Sequence, residues 1–504
     1  MSLSSILSVA RTAMNYQQAL IQTAGHNIAN AETAGYSRQR VDAQASTPQF
    51  FTYGTIGTGV EIDDIRRARD VLLDVSYRQE ASGDGAASLR HELLSAVEGI
   101  LGEPSEDGLA SAMDAFWSSW SELANAPTSE AARSVVVQRA RNVATQLNAF
   151  DQRLTDLRTQ TETRLSNTLT ELNGLTTTIA ELNGRIVEAE VGGSMANDLR
   201  DQRDLAIDRL SKLGDVRVLP QRDGAVTVLL GSNTVVDGVH AQQLRIAADT
   251  GATVRLALVR APAEPLLPTG GALQTMLDFQ NVELSETQER LDALANTLAR
   301  TVNAVHRRGN DGDGDDPYLN FFVDRTSDTD EYVDGDPFLS PRAEGIVTAR
   351  TIGISTAIQR DVTKIASTSS RADRPADNDI ALALAGLRTA TTATLRGETL
   401  AVVDFTTVDR GFNPPRRQTS KPMSVAEFYR SATSGLAAQV KDAESTATVR
   451  RTLAEQADLR RQSVSGVNID EELTTLMRAQ QAYAAAAKVV TAADEMMQTL
   501  IGMI

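Results

Sequence analysis

The chain has 504 residues, enough for three or four domains, and carries a formal net charge of −17 with no cysteine. That charge argues against nucleic acid or an anionic membrane as the main partner, and the missing cysteines exclude disulfides and thiolate metal sites. Aromatic content is 4%, which suits helical rods with Leu, Ala and Val seams better than a large enzyme core.

No apolar run approaches the roughly 20 residues needed to span a bilayer, so no membrane insertion is expected. Residues 1–10 carry no Lys or Arg ahead of their apolar residues, and no small-residue cleavage site follows. The N-terminus therefore does not read as a secretory signal peptide.

The first twenty-eight residues hold three columns spaced seven apart: Leu3, Ala10, Gln17, Ala24; Ile6, Ala13, Leu20, Asn27; and Leu7, Met14, Ile21, Ile28. This spacing predicts a helix with a coiled-coil seam. Asparagine and glycine tolerate the left-handed conformation that ends a helix, so the chain should leave it between Asn30 and Gly35. Residues 36–65 read as an extended arm. The glycines at 54, 57 and 59 lack the order of a nucleotide loop.

Helices are predicted over 64–77, 86–101 and 108–125, and Pro127 stops the last of them. Thr128 with Glu130 reads as the start of the longest helix, 129–191, on the order of 90 Å at 1.5 Å per residue. Its seam runs Val136, Ala140, Val143, Leu147, Phe150, Leu154, Leu157, Thr161, Leu165, Leu169, Leu172, Leu175, Ile179, Leu182, Ile186, with a stutter of four-residue steps at 161–169. A return helix over 197–213 follows.

Between 216 and 259 the pattern changes to brief β-type runs separated by Asp-Gly and Gly turns, predicting a small sheet that the chain leaves at 261–265. Helix is predicted again over 269–306, 377–395 and 425–462, with irregular chain at 332–355 and a loop at 399–422. From 469 to 504 the chain reads as one helix. Its apolar stripe is Ile469, Leu473, Leu476, Tyr483, Ala487, Val490, Met497, Ile501 and Ile504, broken by Gln480 and Asp494. A single amphipathic helix is marginal in water, because most helix stability in proteins comes from packing the apolar face. The two ends should therefore stay largely unfolded in the free subunit and order only on each other and on neighbouring copies; an intramolecular helical hairpin closing a globular domain is the other reading of the same pattern.

Chemistry is hard to find. His26, His91, His240 and His306 lie in unrelated segments, and His91-Glu92-Leu93-Leu94-Ser95 has serine where the second zinc ligand of HExxH would stand. Asp311, Asp313 and Asp315 open like a calcium loop, but Asp316 and Phe322 occupy the positions where that loop needs Gly and Glu. No enzyme activity, cofactor or metal is expected. A secreted calcium- or ligand-binding protein is the reading from a different class.

Gln18-Ala19-Leu20 with Gly25-His26-Asn27-Ile28-Ala29-Asn30-Ala31-Glu32-Thr33-Ala34-Gly35-Tyr36-Ser37-Arg38-Gln39 resembles the N-terminal signature of the bacterial flagellar axial proteins, the rod, hook and hook-associated family. The Gly-Tyr-Ser-Arg-Gln ending is similar to the hook-associated protein 1 branch, found at the hook-filament junction. Rod and hook proteins, the nearer alternative, more often have Gly-Phe-Lys or Gly-Tyr-Lys there. Ser465-Gly466-Val467-Asn468-Ile469-Asp470-Glu471-Glu472, with Gln480-Gln481-Ala482-Tyr483 and Ala487-Lys488-Val489-Val490, is similar to the family's C-terminus. Internal segments agree in order: Gly57-Thr58-Gly59-Val60, Ala131-Ala132-Arg133, Asn197-Asp198-Leu199-Arg200-Asp201-Gln202-Arg203-Asp204, and Asn303 with His306, Gly309 and Phe321-Phe322.

The resemblance implies a mainly α protein with a small β domain, acting as a structural adapter that joins hook to filament. It implies an axial coiled coil of 1–35 with 464–504, a helical rod of 36–213, 266–308 and 375–463, and an outer domain of 214–265 with part of 317–365. Many relatives carry a larger β domain after the Phe-Phe pair than 323–346 could form. The implied partners are copies of itself in a ring, the hook protein, a second junction protein or the filament flagellin, and a cytoplasmic export chaperone on the C-terminal helix. Export would proceed unfolded, without signal cleavage, to an extracellular flagellum. The assembly interface would be Leu3, Ile6, Leu7, Met14, Leu20, Ile21 and Ile28 with Ile469, Leu473, Leu476, Tyr483, Val490, Met497 and Ile501. The motif residues would be Asn27, Asn30, Gly35, Tyr36, Ser37, Gly466, Val467, Asp470 and Glu471.

Overall fold

The computed structural model describes residues 3–51, 54–247, 253–266, 270–311, 319–326, 347–369, 377–395, 397–403, 405–409, 416–419 and 422–502. Asp313, Asp315, Asp316 and Ile504 lie outside them, as do residues 327–346. The architecture is mainly α with small antiparallel sheets.

Helix α1 (Leu3–Ala29) leads into an antiparallel ribbon in which β1 (Gln39–Ala45) pairs with β4 (Val60–Arg67) and carries the hairpin of β2 (Gln49–Phe51) and β3 (Gly54–Ile56) between them. The helix predicted from 64 does not begin there, because 60–67 is committed to the ladder with β1. Asp70 instead caps α2 (Val71–Leu101), accepting the Leu72 N–H. This is one helix where two were expected. Gly83 and Gly85 sit inside it, and a Cβ on Gly85 would lie 2.5 Å from the Lys212 carbonyl oxygen. Close approach of backbones, not a break, is the use of Gly85.

Helix α3 (Leu109–Asn125) buries Phe116, Trp117 and Trp120 against α4 (Glu130–Glu190). The cap of α4 is Ser129, one residue after the expected Thr128, accepting the Ala132 N–H at 3.2 Å. The predicted seam of α4 is buried from Val136 to Ile186 apart from half-buried Leu175. Helix α5 (Asn197–Leu213) returns along it.

The sheet region is a four-stranded meander, β5 (Val216–Pro220), β6 (Val226–Leu230), β7 (Asn233–Asp237) and β8 (His240–Ala241). A three-stranded sheet follows, with β10 (Arg255–Leu258) between β9 (Leu244–Ala247) and β11 (Ala261–Leu266). The chain was expected to leave the sheet at 261–265. It pairs instead as an edge strand, the place in a sheet where prolines are tolerated.

Helix α6 (Gly271–Asp278), a π-helical turn (Phe279–Glu283) and α7 (Leu284–His306) run on continuously. Then β12 (Phe322–Asp324) pairs with β13 (Ile352–Ile354), followed by α8 (Thr356–Arg360) and α9 (Asp379–Gly386). The helix predicted to reach 395 stops at Gly386. Beyond it lie two hairpins, β14 (Thr392–Leu395) with β15 (Glu398–Val402) and β16 (Thr406–Asp409) with β17 (Arg416–Thr419), where a loop was expected. A capping box of Ser424 and Glu427 starts α10 (Val425–Ser465), which lies along α2. The chain ends in α11 (Ile469–Gly502), which packs on α1.

Candidate functional site at the joint of the terminal helices

Asn27, near the end of α1, meets Glu472, near the start of α11, so the two helices pair antiparallel along their length. The face of α11 turned to α1 is made of Glu472, Ala479 and Ala493, all buried, with half-buried Ala486 between them at heptad spacing. On α1 the buried positions are Ala10, Thr23, Ala24 and Asn27. Alanines let the two backbones approach. The large residues of the expected C-terminal stripe are rotated about a quarter turn from this face, at 100° per residue.

The expected interface residues therefore divide. Leu476, Val490 and Met497 are half-buried, while Leu473 is 44%, Tyr483 39%, Ile469 46% and Ile501 67% exposed. On α1, Ile6, Leu7, Met14, Leu20, Ile21 and Ile28 are half-buried, sharing cover from α11 and from the β1–β4 ribbon. Leu3 lies in the first turn of α1.

The motif residues converge. Asn27 is 1% exposed; its Nδ2 donates to the Gln39 carbonyl at 3.0 Å and to Glu472 Oε2 at 3.1 Å. Its Oδ1 accepts the Gln39 N–H at 2.9 Å and the Tyr36 hydroxyl at 2.7 Å. With that proton committed, the Tyr36 oxygen accepts from His26 Nδ1–H at 3.0 Å. Burial, then Asp198, Asp201 and Glu472, push the Tyr36 hydroxyl far above its ordinary range, so it is a permanent donor. Arg38 Nε lies 2.7 Å from Glu472 Oε1 and its Nη1 3.1 Å from Glu471 Oε2, while its backbone N–H donates to the Ser465 carbonyl at 2.8 Å.

Local backbone chemistry sets these groups in place. Asn30 Nδ2 donates to the His26 carbonyl and helps end α1. Gly35 takes φ 81°, and a Cβ there would meet Leu205 at 3.0 Å. Gly466 donates its N–H to the Gln462 carbonyl at 2.7 Å and closes α10. After half-buried Val467, Asn468 Oδ1 accepts the N–H groups of Asp470 and Glu471, starting α11.

Ser37 carries the connection onward: its N–H and Oγ donate to Asp201 at 2.9 and 2.7 Å. Asp201, Asp204 and Asp208 share one face of α5 at steps of three and four. Arg67 Nη1 lies 2.8 Å from both Asp201 and Asp204, and Arg69 joins Asp204 at 2.9 Å and Asp74 at 2.7 Å. Arg78 reaches Asp208 at 2.7 Å, and Arg461 of α10 reaches it at 2.5 Å while lying 3.8 Å over the Tyr77 ring. Burial alone would raise the Asp204 carboxyl, but Arg69, Arg67 and Arg78 outweigh it and hold it at about 2. At Asp201 burial prevails over Arg67 and Ser37, and the carboxyl is raised.

This network joins α1, the ribbon, α2, α5, α10 and α11. Sequence reasoning missed Arg67, Arg69, Arg78, Arg461 and Asp208. The three-four spacing of the aspartates was visible, but on a helix such a run ordinarily marks a solvated face. Buried ion clusters add little net stability, yet they hold one geometry. The arrangement can fix an angle between parts; it offers no nucleophile and base in register.

The internal motif residues are structural. Buried Arg133 donates to the carbonyls of Pro127, Thr363 and Ile365. Asn303 holds the backbone of Phe321 and Phe322. His306 Nδ1–H donates to the Leu319 carbonyl at 2.9 Å and its Nε2 accepts the Ala366 N–H at 3.0 Å; burial first of all pulls its pKa to about 4. Asp311 is buried with Lys364 Nζ at 3.1 Å, so that carboxylate of the calcium-like opening has a cation of its own.

Residues 94–322 match the family profile described as flagellar hook-associated protein FlgK helical domain, and residues 461–503 match the flagellar basal body rod FlgEFG protein C-terminal profile. The flagellar hook-associated protein 1 of Bacillus subtilis is 30% identical over 98% of this chain and 97% of its own. The chain belongs to the flagellar hook-associated protein 1 family. Other hook-associated protein 1 sequences similar to it come from Salmonella typhimurium, 28% identical over 99% of this chain and 100% of that one, and Escherichia coli, 26% identical over the same shares. The structure of the flagellar hook junction protein FlgK from Burkholderia pseudomallei matches with a TM-score of 0.60 at 18% identity, over 78% of this chain and 100% of that one, so the fold is shared. A hook-associated protein 1 is a structural part of the bacterial flagellum and assembles with its other axial components.

Proposed function

We propose that the chain forms the adapter ring between hook and filament, and that the apolar side chains left bare on α11 make the contact between copies. The observation that carries this reading is the division of α11. One face is satisfied by α1, and a second presents Ile469, Leu473, Met477, Tyr483 and Ile501 to solvent. An apolar stripe beside a fixed helix pair is an association surface. Residues 1–35 with 464–504 form the axial part, 36–213 with 266–308 and 375–463 the rod, and 214–265 with part of 317–365 the outer part. Hook protein meets one end of the ring and a second junction protein or flagellin the other. Before export, the same stripe on α11 is covered by a cytoplasmic chaperone, and the subunit leaves the cell without signal cleavage. The adapter has no turnover.

Deleting the gene tests this. Cells should bear hooks without filaments and lose flagellin to the medium. Normal filaments on such cells would refute the adapter role.

A further inference from the structure

At the base of the first sheet, away from the terminal joint, a cavity of about 280 Å³ opens between the end of α4, α5 and the β5–β6 turn. Three guanidinium groups line it, those of Arg200, Arg203 and Arg222. Arg200 is neutralised by Glu190, Nε to Oε1 and Nη2 to Oε2 both at 2.7 Å. Arg203 is not. It is 4% exposed, and its Nη1 donates to the neutral acceptors Asn183 Oδ1 at 2.9 Å and the Gly224 carbonyl at 2.8 Å. No carboxylate among the described residues lies within ion-pair distance of it, and its buried Nε has no hydrogen-bond partner among them. Arg222 on the turn likewise has no ion-pair or hydrogen-bond partner among the described residues. The remaining acid on the rim, Asp223, accepts the Ala225 N–H of its own hairpin at 3.1 Å.

A buried charge with no directly paired counter-ion is costly, and the cost is met when an anion supplies one. Burial lowers the Arg203 pKa, to about 10, against the longer-range pull of Asp204 and Glu190, and the group stays cationic at neutral pH. Gly224, at φ 88°, holds the turn against the Glu190–Arg200 pair; a Cβ there would lie 2.4 Å from Glu190 Oε2, so the slot has a fixed wall. Its volume suits a small charged group rather than a drug-sized ligand. We propose that this cavity is an oxyanion site in which Arg203 and Arg222 clasp a carboxylate or phosphate-type group. Two sources offer that chemistry: a free inorganic oxyanion, and an acidic side chain of another subunit, of which a chain with a net charge of −17 carries a surplus.

The test titrates inorganic phosphate, and in parallel acetate, into the full-length chain at ionic strength held constant with sodium chloride, following the thermal midpoint. A saturable rise beyond chloride is expected, with half-saturation moved roughly tenfold higher by Arg222→Ala, an exposed change that leaves the fold intact, and by Arg203→Lys. A response to phosphate alone assigns the slot to a free oxyanion; an equal response to acetate assigns it to a side-chain carboxylate. Midpoints no different from those in chloride, or responses unchanged in both variants, would overturn the proposal.

Discussion

Asn27 uses both its donors and both its acceptor positions, two of them on the Gln39 backbone and one each on Tyr36 and Glu472. No other side chain of its size can replace that set. Asn27→Ala should cost about 3 kcal/mol, since Glu472 and Tyr36 lose a buried partner. The expected readout is faster amide exchange through α1 and the first turns of α11 with the rod unchanged; unaltered protection there would show that the joint does not depend on it. His306 sets a pH limit elsewhere. Its folded pKa of about 4 lies below the unfolded value near 6.5, so the unfolded chain takes up the proton first. The stability it contributes is whole above pH about 6.5 and is lost as pH falls through about 4, a change of about 3 kcal/mol. Asp204, held at about 2, adds a loss of the same sign in more acid solution. Urea unfolding between pH 7 and 4.5 should show the histidine contribution shrink in His306→Gln. The asparagines, glycines and Tyr36 of the joint were legible from the motif. Arg67, Arg69, Arg78 and Arg461 were not, because nothing local distinguishes an arginine bound for a buried carboxylate from one bound for water.

Among the elements, α4 was the easiest to read, since it packs on several neighbours and its apolar positions must follow one stripe. Helix α11 was read in the right place, but the alanine face that meets α1 was not seen in its stripe. Its partner surface is alanine, which carries little signal, whereas the conspicuous side chains point outward. Residues 387–395 were taken into a helix although Thr389, Thr391, Thr392 and Thr394 are β-branched and disfavour it; the chain leaves the helix at Gly386, and Thr392 and Thr394 enter a strand. The break expected between helices 64–77 and 86–101 is helical, and Gly85 within it is a contact point. Gly85→Ala improves helix propensity, yet its Cβ would press on the Lys212 carbonyl, so it should lower stability by about 1–3 kcal/mol. A melting temperature equal to or above that of the natural chain would show that α2 and α5 can move apart freely.

At the scale of the whole molecule, the joint ties the terminal helix pair to α2, α5 and α10, and in the proposed ring the bare stripe on α11 is the surface that meets a neighbouring copy. Ordered struts with unmet apolar faces suit a ring that is finished only when copies stand side by side. The measurement that tests this most directly is Leu473→Asp, placed on the exposed stripe and away from α1. The purified variant should melt as the natural chain does, and a strain carrying it in place of the natural gene should make hooks but no filaments. Filaments of normal number and length from that strain would contradict the account.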